Sequence, residues 1–287
     1  MRTHDFFVLA RHSASCKAAL VKPKTEELLY LLLWSCDMLA RPTFRNLTDS
    51  FEAWAYRNGF HRALTDLERR ELMESRTGDA KGGGTRMSER VLLLSETGRV
   101  HALGGRDPEV RWNRAWDGRW HLVLFDLPNT EGAKRNRLRN YLRSQGFGWL
   151  QNSVWIAPHP LIEDKSRLAG TKADVESILF LEARPSAGER DDEIVAGAWD
   201  FKEINRLYKK HLTVLEARPT APLRDAIAAT RFRTWAAEER EAWLEAVTAD
   251  PLLPARLLPV GYLGRKAWET RVKTMRQCGK QISDFRF

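Results

Sequence analysis

The sequence predicts an α+β chain built from several modules, and three observations carry that reading. Residues 22–105 run helix, helix, helix, glycine-rich loop and strand. The stretch from Trp112 to Ala183 alternates short apolar runs with helical stripes in the order β-α-β-β-α-β. Everything after Trp199 shows helical periodicity, broken only by proline-rich turns. At 287 residues the chain has room for two or three domains. Its 43% hydrophobic and 30% charged residues exclude a disordered chain, a collagen-like fibre and a small disulfide scaffold.

Residues 1–21 lack periodicity and are expected to be an N-terminal arm. His4 and Asp5 stand where a signal peptide needs a basic lead-in, so none is expected. No apolar run reaches the roughly 18 residues of a membrane span; the longest, residues 28–34, is cut by Ser35, Cys36 and Asp37. From Glu26, the residues Leu29, Leu32, Leu33 and Cys36 recur at helical spacing, and Pro42 stops them. Thr43 suits an N-cap, and Phe44, Leu47 and Phe51 mark a second short helix. A third passes through Phe60, Leu64 and Leu67 to Leu72. Residues 76–86 form a basic loop around Gly82, Gly83 and Gly84, and residues 90–95 read as a strand.

That order is the order of a winged helix-turn-helix, assigned to residues 22–105. Its third helix enters a DNA major groove and the loop between its strands lies along the backbone. The candidate DNA-contacting residues are Thr43, Arg45, Arg57, Asn58, His61, Arg62, Thr65 and Arg69, with Lys81 and Arg86 in the loop. These are the side chains that reach base edges and phosphates. A plain three-helix bundle with a solvated face fits the same pattern. The segment carries 13 basic and 12 acidic residues, so its charge alone does not decide between them.

The second module, residues 106–197, is the most regular. Residues 121–125 form a buried-strand run closed by Asp126 and Pro128. A helix starts near Asn129, with Leu138, Tyr141, Leu142 and Gln145 on one face and Arg135, Arg139 and Arg143 on another. Gly146 ends it as a C′ glycine. Residues 149–151 and 154–156 read as a hairpin around Asn152 and Ser153, residues 160–172 leave room for a second helix, and residues 178–183 close the set as a strand. This is the ferredoxin-like pattern, expected here as a central and dimerisation domain.

Residues 198–287 read as a helical C-terminal domain. Asp200 caps a helix through Ile204, Leu207, Tyr208 and Leu212. Two more are expected over residues 222–235 and 238–247, then rigid turns at residues 250–254 and 257–259, and a final basic helix over residues 264–276.

Several of these stretches resemble a known family, the PaaX-like transcriptional regulators. They are residues 94–99 after the wing, and Trp116-Asp117-Gly118-Arg119-Trp120 through Asp126 with Leu138-Arg139. Gly146-Phe147-Gly148, residues 154–158, residues 198–201 with Tyr208, and residues 250–254 with 257–259 complete the set. The resemblance covers residues 25–277. It implies a dimeric repressor that binds duplex DNA and is released by a small effector, an acyl-CoA in the founding case. On that expectation the effector site draws on Trp116, Arg119, Trp120 and Trp199 for aromatic surface and charge, and on Arg265 and Lys266 for cations facing ligand phosphates. The eleven tryptophans fit a plain core equally well.

Enzyme readings are weaker. Asp126 at the end of the first central strand resembles the metal-site aspartate of the small ferredoxin-like nuclease of CRISPR spacer acquisition, where two carboxylates meet across a two-fold axis. A single Asp also caps such a turn. Gly82-Gly83-Gly84-Thr85 lacks the Gly-Lys-Ser/Thr of a P-loop, and the seven histidines lack metal-ligand spacing. Ser153 has no nearby base or nucleophile elbow. No catalytic residue, metal or cofactor is expected. The three cysteines, Cys16, Cys36 and Cys278, are odd in number and widely spaced, which suits a reducing cytoplasm. Net charge is +9, and it includes +4 over residues 106–157, −4 over 158–199 and +6 over 200–287, so an anionic partner is expected on particular segments. The basic face of Arg135, Arg139 and Arg143 is a rival surface for single-stranded RNA.

Overall fold

A computed structural model describes residues 61–77, 90–126, 132–161, 178–186, 188–222 and 226–283. The chain divides into two units. One holds Asp107–Leu207 and Glu245–Leu263; the other holds the described residues before Asp107, Tyr208–Leu244 and the residues from Gly264 onward.

The first unit is built on a four-stranded sheet. Its strands are β3 (Trp120–Phe125), β4 (Gly148–Gln151), β5 (Val154–Ala157) and β6 (Ile178–Ala183), and their order is β4-β5-β3-β6. Every neighbouring pair is antiparallel. This is the strand order of a ferredoxin-like β-α-β-β-α-β chain, and it bears out the pattern read from the sequence. The second helix of that pattern, expected over residues 160–172, lies outside the described residues from residue 162 onward.

Strand periodicity sorts the side chains. Val123 and Phe125 of β3 join Trp155, Ala157 and Ile178 on one face, covered by Leu138 and Leu142 of helix α4 (Gly132–Ser144). Trp120 and Ile156 point to the other face, where Val195 and Ala198 of helix α5 (Asp191–Ala198) pack with Leu253 and Leu257. Gly146 ends α4 at a φ of 87°, with Phe147 N–H reaching Leu142 O at 3.0 Å and Gly146 N–H reaching Arg143 O at 2.9 Å, a Schellman closure that only glycine adopts without strain.

The second unit opens with helix α1 (His61–Arg69), strands β1 (Met73–Thr77) and β2 (Arg90–Leu94), and helix α2 (Glu96–Ala102). β1 and β2 pair antiparallel, from Met73 opposite Leu94 to Thr77 opposite Arg90. The twelve-residue connection, residues 78–89, contains Lys81 and Arg86 and lies outside the described residues, as do both helices expected before α1.

Further along the chain run helices α6 (Phe201–Glu216), α7 (Ala226–Ala249) and α8 (Gly264–Ser283). Within the second unit Trp243 of α7 is fully buried against Tyr208 and His211 of α6 and Trp268 of α8, at ring distances of 6.4, 5.3 and 5.4 Å. The indole of Trp235 donates to Val214 O at 2.7 Å.

One sequence expectation is corrected here. The pair of helices over residues 222–235 and 238–247 is one continuous helix of 24 residues, because Ala236, Ala237, Glu238 and Glu239 are strong helix formers with no Gly or Pro among them. Ahead of Trp199, Asp191, Asp192 and Glu193 open α5, where their charges complement the helix N-terminus.

Candidate functional site

The candidate DNA-contacting residues divide sharply. Thr43, Arg45, Arg57, Asn58, Lys81 and Arg86 lie outside the described residues. His61 opens α1, and Arg62, Thr65 and Arg69 are exposed along it. Leu67 of α1 is fully buried, so the helix presents a polar face opposite an apolar one. Arg62 makes no hydrogen bond or ion pair among the described residues.

Arg69 is differently placed. It bonds Asp66, and Arg70 meets the other Asp66 oxygen at 3.0 Å. Burial alone would raise the Asp66 carboxyl, but hydrogen bonds from Arg69 and Arg70 outweigh it and hold the carboxyl below its ordinary value. The spacing i, i+3, i+4 permits this clamp, and the burial of Asp66 completes it. It leaves Arg62 as the α1 arginine best disposed to meet a partner.

The two-stranded ribbon and α1 are locked together at Ser95. Its backbone N–H donates to Leu72 O at 3.1 Å and its hydroxyl to Glu71 O at 2.6 Å. The same hydroxyl oxygen caps α2 by accepting from Gly98 N–H at 3.0 Å. Glu71 ends α1 in a left-handed conformation, φ 58°, with Leu72 N–H on Leu67 O at 2.9 Å. Gly98 is required by close approach: a Cβ there would stand 2.0 Å from Leu72 O.

Of the candidate effector residues, the structure brings together three. Trp116 and Trp120 lie 5.2 Å apart between ring centroids, and Trp120 and Trp199 6.2 Å apart. Trp120 is buried and donates to Asp191 Oδ1 at 3.0 Å; Trp199 donates to Gly146 O at 3.3 Å. Trp116 donates to Arg119 O at 2.8 Å and carries the Arg256 guanidinium 5.5 Å from its ring. Arg119 is turned to Glu182 at 2.8 Å. Arg265 and Lys266 are exposed at the start of α8, in the other unit. Trp120 is therefore core, and Trp116 with Arg256 is the part of this ladder nearest solvent.

Along α4, Arg143 lies over the Trp155 ring at 5.3 Å, and burial with the neighbouring Arg139 charge pushes its pKa down. Asp126 is exposed at the end of β3. Among the described residues no three His, Cys, Asp or Glu side chains gather to hold a metal ion. Cys278 is buried and its thiol is pushed up to about 12, which makes it a poor nucleophile. Among the described residues no helix is long and apolar enough to cross a membrane.

Residues 113–195, which contain the whole four-stranded sheet, match the family described as PaaX protein central Cas2-like domain. Transcriptional repressor PaaX of Escherichia coli (strain K12) is 28% identical over 163 residues, covering 53% of this chain and 49% of that protein. Over these residues the chain is similar to the PaaX-like family. It spans about half the length of the curated relative it matches. Among solved structures, uncharacterized protein Rv0674 from Mycobacterium tuberculosis is 18% identical, with 98% of each chain covered and a TM-score of 0.47.

The motifs of this PaaX-like chain now have physical roles. Gly148 approaches the end of α5 so closely that a Cβ would meet Trp199 at 2.5 Å and Ala198 O at 2.7 Å. Asp250 is buried, accepts from Leu252 N–H at 2.8 Å and bonds the Tyr262 hydroxyl. That grip holds Leu252 at a left-handed φ of 52°. The family's short motifs are thus tight backbone approaches and the side chains that fix them.

Proposed function

We propose that this PaaX-like chain is a sequence-specific transcriptional repressor that binds duplex DNA as a homodimer in the cytoplasm and is released by a small effector such as an acyl-CoA. The observation that carries the reading is its 28% identity to Transcriptional repressor PaaX over 163 residues. The order of α1, β1 and β2 supports it, since a helix with an exposed arginine followed by a two-stranded ribbon is what a winged helix-turn-helix sets against a duplex. On this reading α1 enters the major groove with His61, Arg62 and Thr65, and Lys81 and Arg86 reach phosphates. No catalytic step is assigned to any residue.

Selection from random duplex DNA at moderate salt tests it. The expected product is an inverted repeat with half-sites about 10–10.5 bp apart, or a multiple of that spacing. Arg62→Ala should relax base preference at one position of each half-site. Lys81→Ala or Arg86→Ala should weaken all sequences alike and shallow the salt slope by about 0.9 for each phosphate left unneutralised. A selection that enriches no palindrome, or single-stranded RNA competing on equal terms with the duplex, would refute the reading.

A further inference from the structure

One helix of the unit that holds the sheet carries charge of a single sign. α4 has five basic residues in thirteen, Lys134, Arg135, Arg137, Arg139 and Arg143, and no acidic one. Lys134 and Arg135 stand in its first turn, where the helix dipole disfavours cations. Arg135, Arg139 and Arg143 follow one another at i, i+4, where like charges repel. Helix stability does not account for this charge. Lys134 and Arg135 interact within the chain. Arg137, Arg139 and Arg143 meet no carboxylate among the described residues.

The packing of α4 fixes where these three cations lie. Leu138 and Leu142 are fully buried with Tyr141 packed beside them, so the sheet takes that side of the helix. Ala133, Asn136 and Asn140 are exposed on the opposite side. At about 3.6 residues per turn, Arg139 and Arg143 border that strip on one flank and Arg137 borders it on the other. Arg137 is exposed. Arg143 is anchored, its guanidinium over the Trp155 ring at 5.3 Å and its Nη1 donating to Asn140 Oδ1 at 3.3 Å. Arg139 is half-buried, and its Nε has no acceptor among the described residues. The two groups are close enough for the Arg139 charge to add to burial in pushing Arg143 down.

A neutral polar strip between two cationic flanks complements a duplex groove, whose floor of base edges lies between two rows of phosphates. A major groove about 12 Å wide admits a helix about 10–12 Å across. A single strand offers one row of phosphates, and its binding sites set exposed aromatic rings among the cations. On α4 the aromatic rings face inward: Tyr141 packs on the core, and Trp155 is buried beneath Arg143. We propose that α4 is a second docking surface for duplex DNA, with Arg137 on the phosphates of one strand, Arg139 and Arg143 on those of the other, and Asn136 and Asn140 toward the groove. The inference rests on the duplex-binding reading above and adds to it a surface on the unit that does not contain α1.

The test measures binding of the purified full chain to random-sequence duplex DNA between about 50 and 200 mM sodium chloride. The logarithm of the binding constant falls with the logarithm of the salt concentration. Replacing Arg137, Arg139 and Arg143 together by Gln should shallow that slope by about 2.7, or about 0.9 for each phosphate left unneutralised. Replacing all three by Lys should restore the slope, because a point charge also releases counterions. Arg137→Gln alone changes an exposed residue, so it reads the effect even if the triple variant fails to fold; its slope should be shallower by about 0.9. An unchanged slope in the glutamine variants would overturn the proposal. So would single-stranded DNA or RNA that binds as tightly as the duplex and loses affinity in Trp149→Ala, since Trp149 is the exposed ring opposite Trp155 that a single strand would stack on. An unchanged slope beside a selected palindrome sinks this inference and leaves the repressor reading standing. A slope that depends on α4, with no palindrome selected, does the reverse. A wild-type chain that binds no duplex sinks both.

Discussion

Glu239 is the most constrained residue in the second unit. It is fully buried, and its Oε1 accepts both from His211 Nε2–H at 2.8 Å and from Arg271 Nε–H at 2.8 Å. Arg271 is equally buried, its guanidinium 4.6 Å from the Trp243 ring. Burial pushes the carboxyl up, while the Arg271 charge pulls it down. Removing the carboxylate strands a buried cation, so Glu239→Ala should cost about 3–5 kcal/mol in urea denaturation. His211 titrates the other way. Burial, reinforced by Arg271, lowers it from 6.5 to about 3, so the folded chain refuses a proton that the unfolded chain accepts. Its contribution is whole above pH 6.5 and is lost as pH falls toward 3, at no more than about 1.4 kcal/mol per pH unit. Stability measured between pH 7 and 4 should therefore decline less steeply in His211→Gln than in wild type, whatever the variant's absolute stability. An unchanged slope would mean that His211 is not the titrating group.

At the scale of elements, α7 offers the clearest test of continuity. Ala237 is exposed in the middle of its 24 residues. Ala237→Pro should remove a backbone hydrogen bond and cost about 3 kcal/mol or more, with helical signal lost in circular dichroism. Were the segment two helices joined there, proline would be tolerated. The sheet was legible in the sequence because residues 121–125 form a short buried-strand run closed by Asp126, and Asn152, at φ 45°, marks the hairpin turn. Gly146 was legible as a helix stop for the same steric reason. The short helices α3 (Pro108–Trp112) and α5 were not, since neither is long enough to repeat an apolar stripe; their acidic first turns were the available signal. The candidate site was only partly legible. Arg62 and Thr65 follow from residue type alone, but the Asp66 clamp on Arg69 and Arg70 depends on burial of Asp66.

For the molecule as a whole, charge is segmented rather than uniform, with −4 over residues 158–199 between segments of +4 and +6. A duplex presents phosphates along its whole length, so a chain of this kind gains most by presenting its cationic segments twice through a two-fold axis. Sedimentation equilibrium at micromolar concentration should give twice the chain mass. A monomer under those conditions would remove the reason for a palindromic operator, and the expected half-site spacing would go with it.

The aromatic surroundings of Glu239 have an optical consequence. Trp243 is fully buried, 5.3 Å from the His211 ring, 5.4 Å from Trp268 and beneath the Arg271 guanidinium. A neutral imidazole is a weak quencher of indole emission and a protonated one is a strong quencher. While His211 stays neutral, Trp243 emits from a rigid, dry environment, blue-shifted from exposed indoles. Loosening of the packing among α6, α7 and α8 admits both water and a proton to the same ring. The emission difference between wild type and Trp243→Phe should thus isolate one built-in fluorophore among eleven tryptophans and report the opening of this core.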